Sequence, residues 1–298
     1  GENVTPAILI QLVVNGIAIG AIYALPALGI SLIWNAAGLF NFAQADLLTL
    51  GAYVMYALVV SAKIPYIWAF LITIIVMGLL GYFLSRIYFY PMIENRVNPH
   101  IVLIGTVALS VFIQNLLLVI WGTTPKSVTN PFGYKPFRVG DIFVMPHVVW
   151  IVAIVAVLLL VLQFFLRRTL IGTGMRAVAQ QQVASWLMGI RNDRMIALTF
   201  LLSTAIAATG GVLISAVFPL TPRMGSMIAV KAMAAVLIGG LGSFSGALIG
   251  GLAVGISETI FATVVNPAYR DVFIFVVLIT FLIFKPGGIF KAEISEKV

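Results

Sequence analysis

The stretch IGGLGSFSGALIGGLAVG, residues 238–255, decides how this chain folds. Gly242, Gly246 and Gly250 recur four apart, and Gly251 and Gly255 repeat the interval. Residues four apart share a helix face. A small-residue face lets a second helix approach closely, which matters most in a bilayer, where no hydrophobic drive brings helices together. Such a face serves either packing within one bundle or contact with a second transmembrane subunit. The cluster Gly239, Gly240 and Gly242 also suits a broken helix, whose freed backbone groups must face protein or a cavity. The apolar run 227–241 is short for a crossing, so a short or broken helix is expected near 227–246.

Composition points to the same solvent. Of the 298 residues, 62% are hydrophobic and 9% charged, whereas a soluble domain carries about 25% charge. The polar surface needed to coat a water-soluble globule is lacking. With no cysteine and two histidines, neither a disulfide framework nor a thiolate or imidazole-rich metal site is expected. The net charge of +8 reads as cationic membrane flanks. No basic run carries interleaved aromatics, so no nucleic-acid partner is expected. Nor is a cleavable signal peptide, because the first apolar run is too long for one.

A spanning helix needs about 20 apolar residues. That rule predicts an all-α bundle of eight to nine membrane segments, near 8–34, 42–61, 66–88, 100–121, 147–166, 195–218, 227–241, 244–264 and 271–285. Pro26 and nearby glycines suggest a kink or partial unwinding of the first. Arg167, Arg168, Arg176, Arg191 and Arg194 in the loop 167–194, Arg86 and Arg96 in 86–99, and Lys285, Lys291 and Lys297 in the tail fall on one side, taken as cytoplasmic. The N-terminus is then outside and the C-terminus inside. The loop of about 122–146 lies outside despite Lys126, Lys135 and Arg138, and its Pro and Gly content suits a cap or a short strand pair. The whole chain, 1–298, reads as one transmembrane domain with no room for a soluble one. No P-loop, H-E-x-x-H or G-x-S-x-G motif occurs, so no catalytic residues are assigned.

Polar groups inside apolar runs usually face the bundle interior or a water path. Asn35, Asn41, Gln44 and Asp46 sit where the first two spans join. Asn41 suits an N-cap, and Asp46 is then either a first-turn acid favoured by the helix dipole or part of a path or gate. Glu258 is either a path, gate or interhelical group, or a buried carboxylate paired with a hydroxyl or Arg. Lys231 is expected to snorkel, Arg270 and Asp271 to pair at a helix start, and Asn15, Gln114 and Asn115 to hydrogen-bond between helices. So few deep carboxylates do not make an ion relay, which argues that energy comes from a partner.

The segment GTGMRAVAQQQVASWLMGIRNDR, 172–194, interrupts the membrane pattern. Thr173 is a candidate N-cap for a helix over about 174–190. Ala179, Val183, Trp186 and Ile190 share a predicted face, Arg176 and Gln180 another, and Gly189 suits a C-cap. Asn192 or Asp193 then caps the next span. By pattern alone such a helix lies on lipid headgroups or fits a groove in a soluble partner.

Five elements together resemble one family. NGIAIGAIYALPALGISLIW (15–34), NFAQADLLTLGAYV (41–54), GTGMRAVAQQQVASWLMGI (172–190), AVLIGGLGSFSGALIGGLAVGISE (235–258) and DVFIFVVLITFLIFKPGGIF (271–290) are similar, in order, to motifs of the permease subunits of ATP-binding-cassette importers for branched-chain amino acids. That class also includes urea and short-amide importers, and the chain resembles its shorter, H-type member. The resemblance implies a permease that forms half of the path for a small polar solute, most simply branched-chain or other hydrophobic amino acids, by ATP-driven alternating access. The same class handles urea, amides or small organic acids; a stand-alone channel or secondary transporter is the less favoured alternative.

The implied partners are a second, M-type permease, two cytoplasmic ATPases that carry ATP and Mg, an extracytoplasmic substrate-binding protein and the lipid bilayer of a prokaryotic inner membrane. This chain itself would bind no cofactor. The helix at 174–190 then becomes the coupling helix, with Arg176, Ala179, Gln180, Val183, Ala184, Trp186, Leu187 and Gly189 facing the ATPase and Arg194 at the edge. The family's usual His-Gly-Glu is here Gln44-Ala45-Asp46. Gln44 does not titrate near neutrality, so a proton-linked role at that position does not carry over.

Overall fold

The computed structural model describes residues 6–95, 97–128, 133, 136–139, 142–285 and 287–290. Arg96, Lys135, Lys291 and Lys297, used above for orientation, lie outside the described residues. The chain is an all-α membrane bundle. Its helices are α1 (Pro6–Ala37), α2 (Gln44–Tyr56), α3 (Tyr66–Leu84), α4 (Pro99–Trp121), α5 (Pro146–Arg168), α6 (Leu170–Gln180), α7 (Gln182–Leu187), α8 (Asn192–Ser215), α9 (Met224–Gly239), α10 (Phe244–Val264) and α11 (Arg270–Phe284). A π-helical turn extends α2 to Ser61, and another carries α3 on to Glu94. Eight of the described helices are long and apolar enough to cross a bilayer, and α9 is the short one. Between α4 and α5, Phe137–Val139 and Ile142–Val144 pair antiparallel, the second of the two alternatives, cap or strand pair, expected there.

The solvent is written on the outside of the bundle. Val119 is 82% exposed, and Ile87, Ile67 and Leu160 also face outward from α3, α4 and α5. In water such a surface would drive aggregation; in lipid it costs nothing. The inner layer is α1, α2, α8, α9 and α10, with α8 the most enclosed of the spans. The partial unwinding expected at Pro26 as one alternative is not seen: α1 is one continuous helix across it. Pro26 removes one backbone donor, and the neighbouring helices enclose this stretch, Leu25 and Ala27 being fully buried.

Glycines set the spacing of that inner layer. A methyl on Gly255 would run into the backbone of Gly20, and one on Gly251 would sit 2.7 Å from Cα of Ala24, so α10 rests backbone to backbone on α1. A methyl on Gly250 or Gly246 would strike the carbonyls of Ala235 or Gly239, so the same helix also meets α9. Four of the five glycines first grouped on one face are therefore spent on contacts within this chain. Gly242 differs: it lies in the turn before α10, with φ 82°, beside Gly240 at φ 107°. This is left-handed backbone that glycine adopts without a Cβ penalty. The last carbonyls of α9 are met by residues after α11, Ile289 N donating to Ile238 O (2.9 Å) and Phe290 N to Gly239 O (3.0 Å), which answers the open acceptors of a helix end.

Gly255→Ala is expected to cost about 1–3 kcal/mol, because the obstructing atoms are backbone and cannot rotate away. Thermal unfolding of the purified protein in detergent measures it. Gly133→Ala, where nothing lies within 4 Å, should cost only the strain of its positive φ, about 1 kcal/mol.

Candidate functional site

The link between α1 and α2 is where polar groups go deepest. Gly38, at φ 68°, ends α1. Asn41 does not cap α2 directly. Its Oδ1 accepts from Ala43 N at 3.1 Å, shaping a turn that launches the helix at Gln44. Phe42 N donates to Thr106 Oγ1 on α4 at 3.3 Å. Asp46 is then a first-turn residue, as expected, and it is 1% exposed.

Its carboxylate accepts from Ser110 Oγ at 2.5 Å and Gln114 Nε2 at 3.1 Å, one helical turn apart on α4. Ser110 lies about 16 Å along α4 from its start, so Asp46 is level with the middle of that helix. The first turn of α9 closes the far side: a methyl on Gly225 would collide with Asp46 Oδ1 and sit 2.9 Å from Ala45 O. The close approach of the two helices at Asp46 is made by Gly225. Gln44 Nε2 donates to Ser203 O on α8 at 3.0 Å, and Gln44 is fully buried.

A cleft of about 220 Å³ opens beside this group. Its polar lining is Asn41, Asp46, Ser110 and Ser226, and Ile30, Val107, Ala229, Val230 and Met233 form apolar wall. Asn41 is fully buried, and its side-chain nitrogen has no hydrogen-bond partner among the described residues. Of the path candidates, Asn41 and Asp46 share this cleft. Gln44 lies among its supports. Asn35 is elsewhere: its Nδ2 donates to Gly242 O at 2.7 Å and pins the α9–α10 turn to the end of α1.

Glu258 belongs to a second cluster. It is fully buried, and its Oε1 meets Lys231 Nζ at 2.6 Å and pairs with Arg270. Tyr23 OH donates to the same oxygen at 3.4 Å and accepts from Lys231 at 3.3 Å. Lys231 also pairs with Asp271 at 3.3 Å. Four helices thus hold two cations and two carboxylates, a balanced set in a medium that punishes unpaired charge. Lys231 does not snorkel; it is 9% exposed and bridges two acids. Arg270 and Asp271 open α11 as expected, but each pairs with this cluster rather than with the other. Lys231 and Tyr23 were not foreseen as partners. One signal existed: a lone lysine about two turns inside a short apolar helix has few ways to stay wet. Gln114 bridges helices as expected, Asn115 bonds its own helix at Val111 O (2.8 Å), and Asn15 makes no side-chain hydrogen bond among the described residues.

The third feature lies at the end of α1. In place of one helix over 174–190 there are two. Thr169, not Thr173, caps α6, accepting from Gly172 N at 2.9 Å. The helix breaks at Gln181, whose φ of −155° is extended. The break separates Ala179 from Val183 and Trp186, so the single face drawn through them does not exist. Instead α6 buries Met175 and Val178, and α7 is clamped. Gln182 Nε2 donates to Ala36 O at 2.9 Å, Asn192 Nδ2 to Gln182 O at 2.7 Å, and Ser185 Oγ to Asn192 Oδ1 at 3.1 Å.

Asn192 is therefore a clamp and not a cap, while Asp193 sits in the first turn of α8 and pairs with Arg86 at 3.2 Å. What α7 leaves outward is apolar: Val183, Trp186 (67% exposed), Leu187 (72%) and Met188 (83%). Ala184, Arg176 and Gln180 are exposed, Ala179 is half-buried, and Gly189 turns the chain at φ 82° as expected of a C-cap glycine.

A family model described as branched-chain amino acid transport system / permease component matches residues 12–282. The chain is similar to the high-affinity branched-chain amino acid transport system permease protein LivH of Escherichia coli strain K12, at 32% identity over 97% of each chain. It is likewise similar to BraD, the corresponding permease protein of Pseudomonas aeruginosa, at 30% identity over 97% of this chain and 98% of that one. A probable LivH of Methanocaldococcus jannaschii is 28% identical over 88% and 86%. No solved structure matches the chain.

Glu258→Ala is expected to destabilise the protein by about 3–5 kcal/mol, since it leaves Lys231 and Arg270 facing each other. Asp271→Ala removes a carboxylate that is 56% exposed and should cost under about 1 kcal/mol. Thermal unfolding in detergent at fixed pH compares the two.

Proposed function

The chain belongs to the family of permease components of branched-chain amino acid transport systems, and on that footing we propose that it forms one half of the membrane path of an ATP-binding-cassette importer for branched-chain amino acids. The observation that carries this assignment is the likeness to such permeases along nearly the whole chain. The chain has no P-loop and no metal-ligating cluster among its described residues. On the importer reading, energy enters through ATPase subunits, with a second permease completing the path and a substrate-binding protein delivering the solute. The N-terminus is outside and the C-terminus cytoplasmic, in the inner membrane. The arginine-rich segment around α6 and α7 then faces the cytoplasm.

The ATPase docks on Val183, Ala184, Trp186, Leu187 and Met188, with Gly189 beside them and Arg176, Ala179, Gln180 and Arg194 at the edge. Four adjacent apolar side chains in water at the end of a membrane bundle favour a protein groove. The geometry supports transmission. A push on α7 reaches α1 through Gln182 and Ala36, and reaches α8 through Asn192. These two helices flank the link that carries Asn41 and Asp46. A rigid helix bonded to the two central spans can tilt them as a lever would, alternating the cleft between outside and inside.

Co-expression with the two ATPases and the partner permease tests the assignment: the subunits should co-purify. Trp186→Asp should weaken that association about ten-fold or more, because it puts a charge in an apolar contact, while the unfolding temperature of the isolated chain stays unchanged. Gln182→Ala should leave association intact and lower transport per ATP hydrolysed, through loss of a hydrogen bond worth about 1 kcal/mol. Wild-type association by the Trp186→Asp chain would remove α7 as the docking element. Solute uptake by the purified chain alone would instead identify a stand-alone carrier.

A further inference from the structure

The bundle treats its two buried carboxylates differently. Glu258 has its counter-charges built in, from Lys231 and Arg270. Asp46 is as deeply buried, yet its partners are a hydroxyl and an amide, both neutral. No cation pairs with it among the described residues. A carboxylate buried in a membrane bundle without a counter-ion is disfavoured, and in membrane proteins such a group marks a substrate, ion or proton path. The first turn of α2 and the two α4 donors offset part of that cost; a proton or a cation from outside the chain meets the remainder, and the lining of the cleft favours the cation.

We infer that this cation is the α-ammonium of the amino acid in transit, with Asp46 its counter-charge in the cleft between α1, α2, α4 and α9; the inference rests on the importer assignment above. The other lining groups complete the complement. Asn41, fully buried with its amide nitrogen unpartnered, supplies a free donor for the solute carboxylate. Ile30, Val107, Ala229, Val230 and Met233 supply an apolar wall for an aliphatic side chain. A volume of about 220 Å³ holds one small solute, being below the ~300–1,000 Å³ of pockets for larger ligands. Acceptor charge, free donor and apolar wall in one cleft match a zwitterion with a hydrocarbon side chain better than they match urea or an organic acid. Urea has no cation to offer, and an organic acid would meet Asp46 as a like charge. Gly225 is part of the design, since any side chain there would push into the carboxylate.

The complete transporter, reconstituted in liposomes with its binding protein, tests this with leucine as the probe. Asp46→Asn keeps the size, can accept from Gln114 and can donate to Ser110 Oγ in place of accepting from it, but has no charge; leucine uptake should fall about ten-fold or more, equivalent to ~1.4 kcal/mol. Asp46→Glu, longer but charged, should recover part of it. A purely structural acid would give the reverse order, and so would an acid that works protonated, because asparagine imitates both. Either result overturns the inference.

A second measurement does not depend on altering Asp46. The chain has no cysteine, so Ser226→Cys places one thiol of this chain at the cleft. Leucine should slow its modification by a methanethiosulfonate, and 4-methyl-2-oxopentanoate, the same skeleton without the ammonium, should not. Equal protection by both, or by neither, contradicts the inference. If the unmodified transporter takes up no leucine with ATP, the importer assignment itself fails, which is a separate result.

Discussion

The backbone contact between α1 and α10 is the constraint on which the other sites depend. Lipid rewards no helix for meeting another, so association must come from close van der Waals fit and from polar groups that need each other. Gly20 and Gly255 give the fit. Once they bring the two helices together, Glu258 lies beside Tyr23, and Lys231 on α9 completes the group. At the other end Asn35 reaches Gly242, and α9 and α10 are fixed to the last turn of α1. The position of α9 in turn sets Gly225 against Asp46. A glycine pair on one side of the bundle thus places a carboxylate on the other.

Burial of charge in this bundle follows two rules. Where the chain needs a rigid joint, it brings matched charges together from four helices, as around Glu258. Such joints are strong when complete and costly when one partner is removed. Beside the cleft, at Asp46, the chain leaves a buried carboxylate with only neutral donors. The contrast between Glu258 and Asp46 carries more functional information than either residue alone.

The sequence made the architecture legible because the period and length of apolar runs are local properties. The ends of α4, α5 and α10 fall within two residues of the positions expected, and the shortness of α9 is visible in its length. Gly189 could be read because a left-handed turn leaves few choices of residue. What could not be read depends on distant partners. Nothing near Lys231 announces Glu258, 27 residues away, or Tyr23 on the first helix. The depth of Asp46 is set by Ser110 and Gln114 on α4. The break at Gln181 was missed because periodicity continues through it: an extended residue with no glycine or proline leaves no mark on the pattern.

The central claim is that this chain is a path opened by ATP in partner subunits and not by its own chemistry. Leucine uptake into liposomes tests it most directly, comparing the purified chain with the assembly of both permeases, the ATPases and the binding protein. The account predicts uptake only by the full assembly, only with ATP and Mg on the ATPase side, and none by the chain alone. Uptake by the chain alone, or uptake by the assembly indifferent to ATP, would contradict it.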